Sequence, residues 1–283
     1  MKLVRYGRPG KEKPGLIDGD GKLRDLSKKI ADITPDNLTP KGMAKLAKIN
    51  AKRLPLVKGR PRFGVPWNAP GKLICIGLNY VDHAKETGNP IPKEPIVFLK
   101  ANSALNGPND TVMMPRGSKK SDWEVELGVV IGTRADNVTQ KDALNHVAGY
   151  TICNDVSERE WQIEHGPTWT KGKSFDTFCP VGPWLVSADE VENPQRLDMW
   201  LDVNGERCQT GNTKTMIFGV AKLVSYLSKF MPLNPGDVIS TGTPPGVGSG
   251  FKPPKFLKKG DVITLGIDGL GQQKQNVIAW KRT

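Results

Sequence analysis

Apolar runs closed by turn residues divide the chain from its first residues onward. Residues 3–6 and 14–21, the second ending Asp-Gly-Asp-Gly, predict two short strands joined by turns. Over residues 38–54, Thr39-Pro40 supplies a start signal and Leu46, Ala47 and Ile49 an apolar stripe, which together predict a helix. Residues 60–71 are rich in Pro, Gly and Arg and predict a linker, and the apolar run 72–77 after them predicts a buried strand. Farther on the pattern is mostly that of strands. Asn204-Gly205 between residues 200–203 and 206–209 is a hairpin signal, because both centres of its tight turn need positive φ. The run Leu233-Asn-Pro-Gly236-Asp237-Val238-Ile239 recurs as Leu257-Lys-Lys-Gly260-Asp261-Val262-Ile263. Each copy places a Gly-Asp turn ahead of a strand, as antiparallel sheets and barrels do. Residues 218–230 carry helical apolar spacing. The prediction is an α+β protein, mostly β, with a small basic domain over residues 1–70 and a larger one over residues 71–283.

Composition narrows the function classes. At 37% hydrophobic, with no long uncharged apolar segment, the chain predicts no membrane span. Residues 1–6 lack the apolar stretch of an export signal, which predicts a cytoplasmic protein. The four cysteines, Cys75, Cys153, Cys179 and Cys208, form no CxxC pair; this argues against zinc–thiolate chemistry and suits reduced thiols. The net charge of +12 raises nucleic-acid binding, and its distribution argues against it. Residues 1–72 hold 18 Lys and Arg against 6 Asp and Glu, while the remainder holds 23 of each. The basic residues are scattered and not interleaved with aromatics, as a solvated cap that steers anionic substrates would be.

Candidate chemistry begins with Glu124 and Glu126 at the head of the apolar run 125–131. In a strand, residues i and i+2 share a face, so the two carboxylates project side by side. They read either as the wet face of a strand or as half of a divalent-cation site. Asp155 ends the apolar run 150–154 and reads either as the N-cap of a helix over residues 156–163 or as a third acid. Three carboxylates without His or Cys form a hard oxygen site, suited to Mg²⁺, Mn²⁺ or Ca²⁺. On that helix Arg159 and Gln162 would share the face of Asp155. His83 follows the buried strand, with Glu86 at i+3 able to orient its imidazole; the pair reads as a water-activating base or as a surface pairing. His146 and His165 lack such company and read as structural. Lys173, in a Gly-containing loop, reads as an oxyanion stabiliser or as a surface lysine. Residues 240–248, Ser-Thr-Gly-Thr-Pro-Pro-Gly-Val-Gly, form a turn whose amides and hydroxyls suit an anion, although no Gly-Lys-Ser/Thr follows to make a P-loop.

The order of these pieces carries more than any one of them. G-x-N-Y-x-x-H-x-x-E, E-x-E-L-G-V-V-I-G, N-D-V-S-x-R-x-x-Q, K-S-F-D-T-F-C-P-V-G-P and S-T-G-T-P-x-G-V-G follow one another over residues 71–283, and the series resembles the fumarylacetoacetate hydrolase family. The resemblance implies a mixed β-roll catalytic fold, a small N-terminal α/β domain as in the longer bacterial members, and a homodimer. It implies Mg²⁺ or Mn²⁺ on Glu124, Glu126 and Asp155, catalysis by His83, Glu86 and Lys173, and substrate contacts from Arg159, Gln162 and Thr243. Hydrolysis of a C–C bond in a 2,4-dioxo acid, an acylpyruvate or a diketo-deoxy sugar acid, is the activity expected, because the retained dyad serves to activate water. Oxaloacetate decarboxylation, isomerisation of related dioic acids and a ureidoglycolate lyase activity are the alternatives within enzymes. A non-catalytic module docking through its basic N-terminal part is the alternative outside them. Residues 85–93, rich in Gly and Pro after the dyad, read either as a lid or as a surface loop.

Overall fold

The computed structural model describes residues 1–68 and 70–282. Its central strand is Val125–Ile131, every residue of which is buried. Alternation sends Val125, Leu127, Val129 and Ile131 into one core and Val130 into another. Glu126 and Gly128 share the side of Val130, so the strand's two faces are both covered and its sequence reads as a continuous apolar run.

Among the described residues, ten strands make the sheet around it. From one edge the order is Leu23–Asp25, Lys13–Ile17, Lys2–Tyr6, Cys179–Ser187, Val147–Asn154, Val125–Ile131, Val238–Ser240, Leu73–Gly77 and Ile96–Lys100, with Leu105–Asn106 beside Cys179–Ser187. A second sheet runs Glu206–Asn212, Asp198–Val203, Val262–Ile267, Gly271–Ile278 and Val112–Met113. Its Met199, Leu201, Ile263, Leu265 and Val277 fill the same core as Val125, Leu127 and Val129. The class is the expected α+β, mostly β.

The turn signals hold at their positions. Asn204 and Gly205 have φ of 54° and 81°, and Val203 pairs with Glu206 across them. Gly236 and Gly260 have φ of 87° and 96°, and each following Asp caps its turn, Asp237 accepting from the amide of Asn234 and Asp261 from that of Lys258, both at 2.7 Å. The helix expected over residues 38–54 is broken into pieces: Pro35–Leu38, Pro40–Ala47 and the 3₁₀ turn Ala51–Arg53. Thr39 is extended and caps the second piece, and Asn50, also extended, accepts from the amide of Lys52 and starts the third.

The N-terminal strands extend the main sheet, with Lys2 paired to Val186 and Leu3 to Leu185. Leu3, Leu26, Ile33, Leu38 and Leu46 pack in one cluster with Leu73, Val130, Val181 and Val238. Trp67, in the stretch expected as a linker, is fully buried and donates its indole N–H to the carbonyl of Gly236 at 2.9 Å. Ala69 of that stretch and the terminal Thr283 lie outside the described residues. The boundary expected near residue 70 falls within a continuous sheet and a shared core.

Candidate active site

The three acids meet because of strand register. Val147–Asn154 runs antiparallel to Val125–Ile131 with Cys153 opposite Glu126 and Asn154 opposite Val125. Asp155 therefore leaves its strand beside Glu124, and its amide donates to the Glu124 carbonyl at 2.9 Å. One carboxylate oxygen each from Glu124, Glu126 and Asp155 lies within 4.8 Å of the others, and all three residues are buried.

Buried carboxylates need partners, and three cations supply them. Lys173 Nζ donates to Glu124 Oε2 at 2.6 Å and to Asp155 Oδ2 at 2.7 Å. Lys100 Nζ reaches Asp155 Oδ1 at 2.5 Å and the carbonyl of Val156 at 3.0 Å. Arg159 spends its fork on Asp122 Oδ2 (2.8 Å), Glu124 Oε1 (2.7 Å) and Gln162 Oε1 (2.9 Å). The result is an alternating chain, Asp122–Arg159–Glu124–Lys173–Asp155–Lys100. Burial alone would raise the Glu124 carboxyl, but Lys173 and Arg159 overcome it and hold it down at about 2. Glu126 stands outside the chain. Its Oε2 accepts from Ser240 Oγ at 2.6 Å and from the amide of Gly242 at 2.9 Å, and among the described residues no cation forms an ion pair with it. Burial first, then the charges of Asp155 and Glu124, push its carboxyl well above the usual range. Three converging carboxylates, one of them crowded by like charge, fit a hard divalent cation by the chemistry of the donor set.

The route to Arg159 differs from the expected one. In place of a helix over residues 156–163, Ser157–Glu158 pairs as a short strand with Ser121–Asp122, and a π-helical turn, Glu160–Glu164, follows. Asp155 is thus no helix cap; its side chain faces Lys100 and Lys173. Lys173 is no surface loop residue either. It ends the short helix Thr170–Lys173 and is 2% exposed.

His83 and Glu86 lie on the helix Val81–Glu86, with Nδ1 and Oε2 2.9 Å apart. The carboxylate on Nδ1 leaves Nε2 as the nitrogen free to take a proton. Glu86 Oε1 in turn accepts from the amide of Gly246 at 2.9 Å. Residues 240–249 therefore bind carboxylates of this chain through their amides. Their amides go to Glu126, to Glu86 and, from Gly248 and Ser249, to Asp122 at 2.6 and 3.0 Å. Thr243 Oγ1 donates to the carbonyl of Val125 at 2.9 Å and accepts from Gln209 at 2.8 Å. Gly246 has φ of 100°, and a Cβ there would meet the Cys208 carbonyl oxygen at 1.9 Å, so glycine alone fits.

His83, Glu124, Glu126, Arg159, Gln162, Lys173 and Thr243 all line one cavity of about 280 Å³. Its apolar lining is Ile76, Leu78, Phe98, Ile163, Trp169 and Val247, with Lys173 Nζ 5.2 Å over the Phe98 ring. Gly77 lets Trp169 pack against its strand, since a Cβ would stand 2.2 Å from the indole. His146 bonds backbone carbonyls of Thr133 and Arg134, away from this cavity, and His165 faces Glu160 at 3.3 Å on the surface. Sequence reasoning missed Lys100, Asp122 and Gln209. Asp122 had a signal, lying two residues before Glu124 and four before Glu126, on the same side of an extended chain. Lys100, a lone cation ending an apolar strand, had a weaker one.

Known proteins share this fold. Residues 72–278 match the family described as fumarylacetoacetate (FAA) hydrolase, C-terminal. A protein of Burkholderia ambifaria, named only as a hydrolase, is 60% identical over 277 residues, 98% of each chain. A fumarylacetoacetate hydrolase from Exiguobacterium antarcticum superposes with a TM-score of 0.85 at 36% identity, over 99% of this chain and 100% of that one. A maleylpyruvate hydrolase from Sphingobium sp. SYK-6, solved with manganese(II) and pyruvate, superposes with a TM-score of 0.83 at 29% identity, over 99% of this chain and 100% of that one. With residues 72–278 matched by the family and nearly the whole chain aligned to its relatives, this protein belongs to the fumarylacetoacetate hydrolase family.

Proposed function

We propose that this enzyme hydrolyses the C–C bond between C3 and C4 of a 2,4-dioxo acid, releasing pyruvate and a second carboxylic acid. The observation that carries the reading is the His83–Glu86 pair, intact at 2.9 Å, with His83 on the same cavity as Glu124 and Glu126 of the acid triad. Decarboxylation of oxaloacetate has no use for an activated water, and such a pair supplies one.

Glu124, Glu126 and Asp155 would hold the divalent cation, Mg²⁺ in our reading, with Mn²⁺ and Ca²⁺ as alternatives. When bound, such a cation polarises the 2-oxo acid and acidifies the carbon between its carbonyls. His83, oriented by Glu86, takes a proton from water, and the hydroxide adds to the C4 carbonyl. The C3–C4 bond breaks, its electron pair passing into the pyruvate enolate, whose charge faces the ammonium of Lys173. The proton on His83 returns to C3. Arg159, Gln162 and Thr243 complete the wall against which the substrate is held. Three buried, free cysteines suit the reducing cytoplasm, where we place the enzyme; the homodimer is carried over from the family.

Acetylpyruvate tests this reading through coupled detection of pyruvate. Wild-type enzyme with Mg²⁺ is expected to turn over, EDTA to stop it, and His83→Ala to cost roughly 10²–10⁴ in turnover. Glu126→Ala is expected to lose bound metal by elemental analysis. Full activity of His83→Ala would remove the base, and full metal content in Glu126→Ala would remove the metal site.

A further inference from the structure

Every cation at this site is already engaged. Lys100, Lys173 and Arg159 stand against Asp122, Glu124 and Asp155, one for one, and each of Arg159's three nitrogens already donates, to Asp122, Gln162 and Glu124. With Glu126 ionised, as a ligand of a divalent cation would be, the four acids exceed the three cations by one charge. A divalent cation turns that into one positive charge, which matches the carboxylate of a single 2-oxo acid group. Among the described residues lining the cavity, no further Lys or Arg stands ready for a second carboxylate, and the apolar ones are Ile76, Leu78, Phe98, Ile163, Trp169 and Val247. Thr87 and Asn89 at its rim are turned inward on their own helix end, Thr87 Oγ1 donating to the His83 carbonyl at 3.0 Å and Asn89 Nδ2 to Thr87 Oγ1 at 2.9 Å. Lys85, Lys93 and Lys171 are exposed and do not line the cavity.

The wall is built. Trp169 is seated on Gly77, which has no Cβ to displace it, and meets Phe98 edge to face at 5.4 Å. Apolar surface of this kind gains by covering apolar groups and loses by desolvating charged or polyhydroxylated ones. We infer that the substrate is a monoacid whose distal acyl group is uncharged and apolar, an alkanoyl- or aroylpyruvate, with Phe98 and Trp169 as the residues that select it. This rests on the 2,4-dioxo acid reading and separates the enzyme from relatives whose substrates, such as maleylpyruvate, carry a second carboxylate.

Two measurements test it. The first compares pyruvate release from hexanoylpyruvate, its ω-carboxylated counterpart and a 2,4-diketo-3-deoxy sugar acid, with Mg²⁺ present. The alkanoyl compound is expected to lead in kcat/KM by at least about 100-fold, the scale set by desolvating an unpartnered carboxylate. Ile163→Arg, at an exposed position of the lining, is expected to shift the kcat/KM ratio of the ω-carboxylated compound to hexanoylpyruvate about tenfold toward the former. Equal or better use of the diacid or the sugar acid overturns the inference and leaves the hydrolase reading standing. The second measures calorimetric binding of 2-oxoheptanoate and 2-oxoheptanedioate, which lack the C4 keto group and cannot be cleaved. Tighter binding of the monoacid, by at least tenfold, supports the inference even if no compound releases pyruvate, an outcome that would instead sink the hydrolase reading. Equal or tighter binding of the diacid overturns the inference by itself.

Discussion

Glu126 is the residue on which the site's charge balance turns. Burial and the neighbouring carboxylates raise its carboxyl above 4.5, whereas Lys173 and Arg159 lower that of Glu124 to about 2. The signs lead to different pH windows. For Glu124, the folded state holds its proton more weakly than the unfolded chain, so its stabilisation is present above about 4.5 and fades as pH falls toward 2. For Glu126, the folded state holds the proton more tightly, so metal-free protein loses stability as pH rises from about 4.5 through the raised value. Thermal melts in EDTA are expected to show that decline, belonging to the coupled pair, and Glu126→Gln is expected to flatten it. Mg²⁺ is expected to displace a proton on binding, visible as buffer-dependent heat in calorimetry; a melt profile in EDTA that Glu126→Gln leaves unchanged would refute the account. The pairing of Glu124 with Glu126 was legible from spacing alone. That one would be neutralised and the other not was illegible, because Lys100, Lys173 and Arg159 arrive from three other elements.

At the scale of elements, strand parity places Asp122, Glu124 and Glu126 toward the site while Val125, Leu127 and Val129 fill the core. Parity is local and could be read directly. Helix 156–163 could not be excluded locally, since its residues tolerate either state; it is lost because Ser157–Glu158 finds a partner in Ser121–Asp122, and a ladder of tertiary origin overrides propensity. The strand Leu73–Gly77 shows the same dependence in its last residue. Gly77→Ala would drive a methyl into the Trp169 ring, and overpacking of this kind costs about 1–3 kcal/mol. A lowered Tm, together with a fall in kcat/KM larger for bulky acyl groups than for acetylpyruvate, is the expected result. An unchanged Tm would mean that Trp169 does not rest on this strand.

For the whole molecule, the N-terminal residues carry the charge excess without forming a free basic arm. Three of their six arginines are spent on internal pairs, Arg5 with Asp32, Arg24 with Asp18 and Arg62 with Asp110, while Arg8, Arg53 and Arg60 are exposed. Removing residues 1–70 would strip the strand partner from Lys2–Tyr6's neighbour, Cys179–Ser187, and expose the cluster around Leu73, Val130 and Val238. Each large side chain so uncovered is worth about 1.5–3 kcal/mol, and an unpaired edge invites association. The fragment 71–283 is therefore expected to aggregate on size-exclusion chromatography, where a folded, soluble fragment would contradict the shared core. By itself the sequence determined what periodicity and short-range chemistry govern: the strands and their turns, the E-x-E pair, the i+3 spacing of His83 and Glu86, and the motif order of the family. Only the tertiary structure decided which carboxylates are neutralised, that residues 240–249 bind the chain's own acids, and that the N-terminal strands complete the sheet. Those outcomes depend on side chains tens to hundreds of residues apart, and no local pattern encodes which of them will meet.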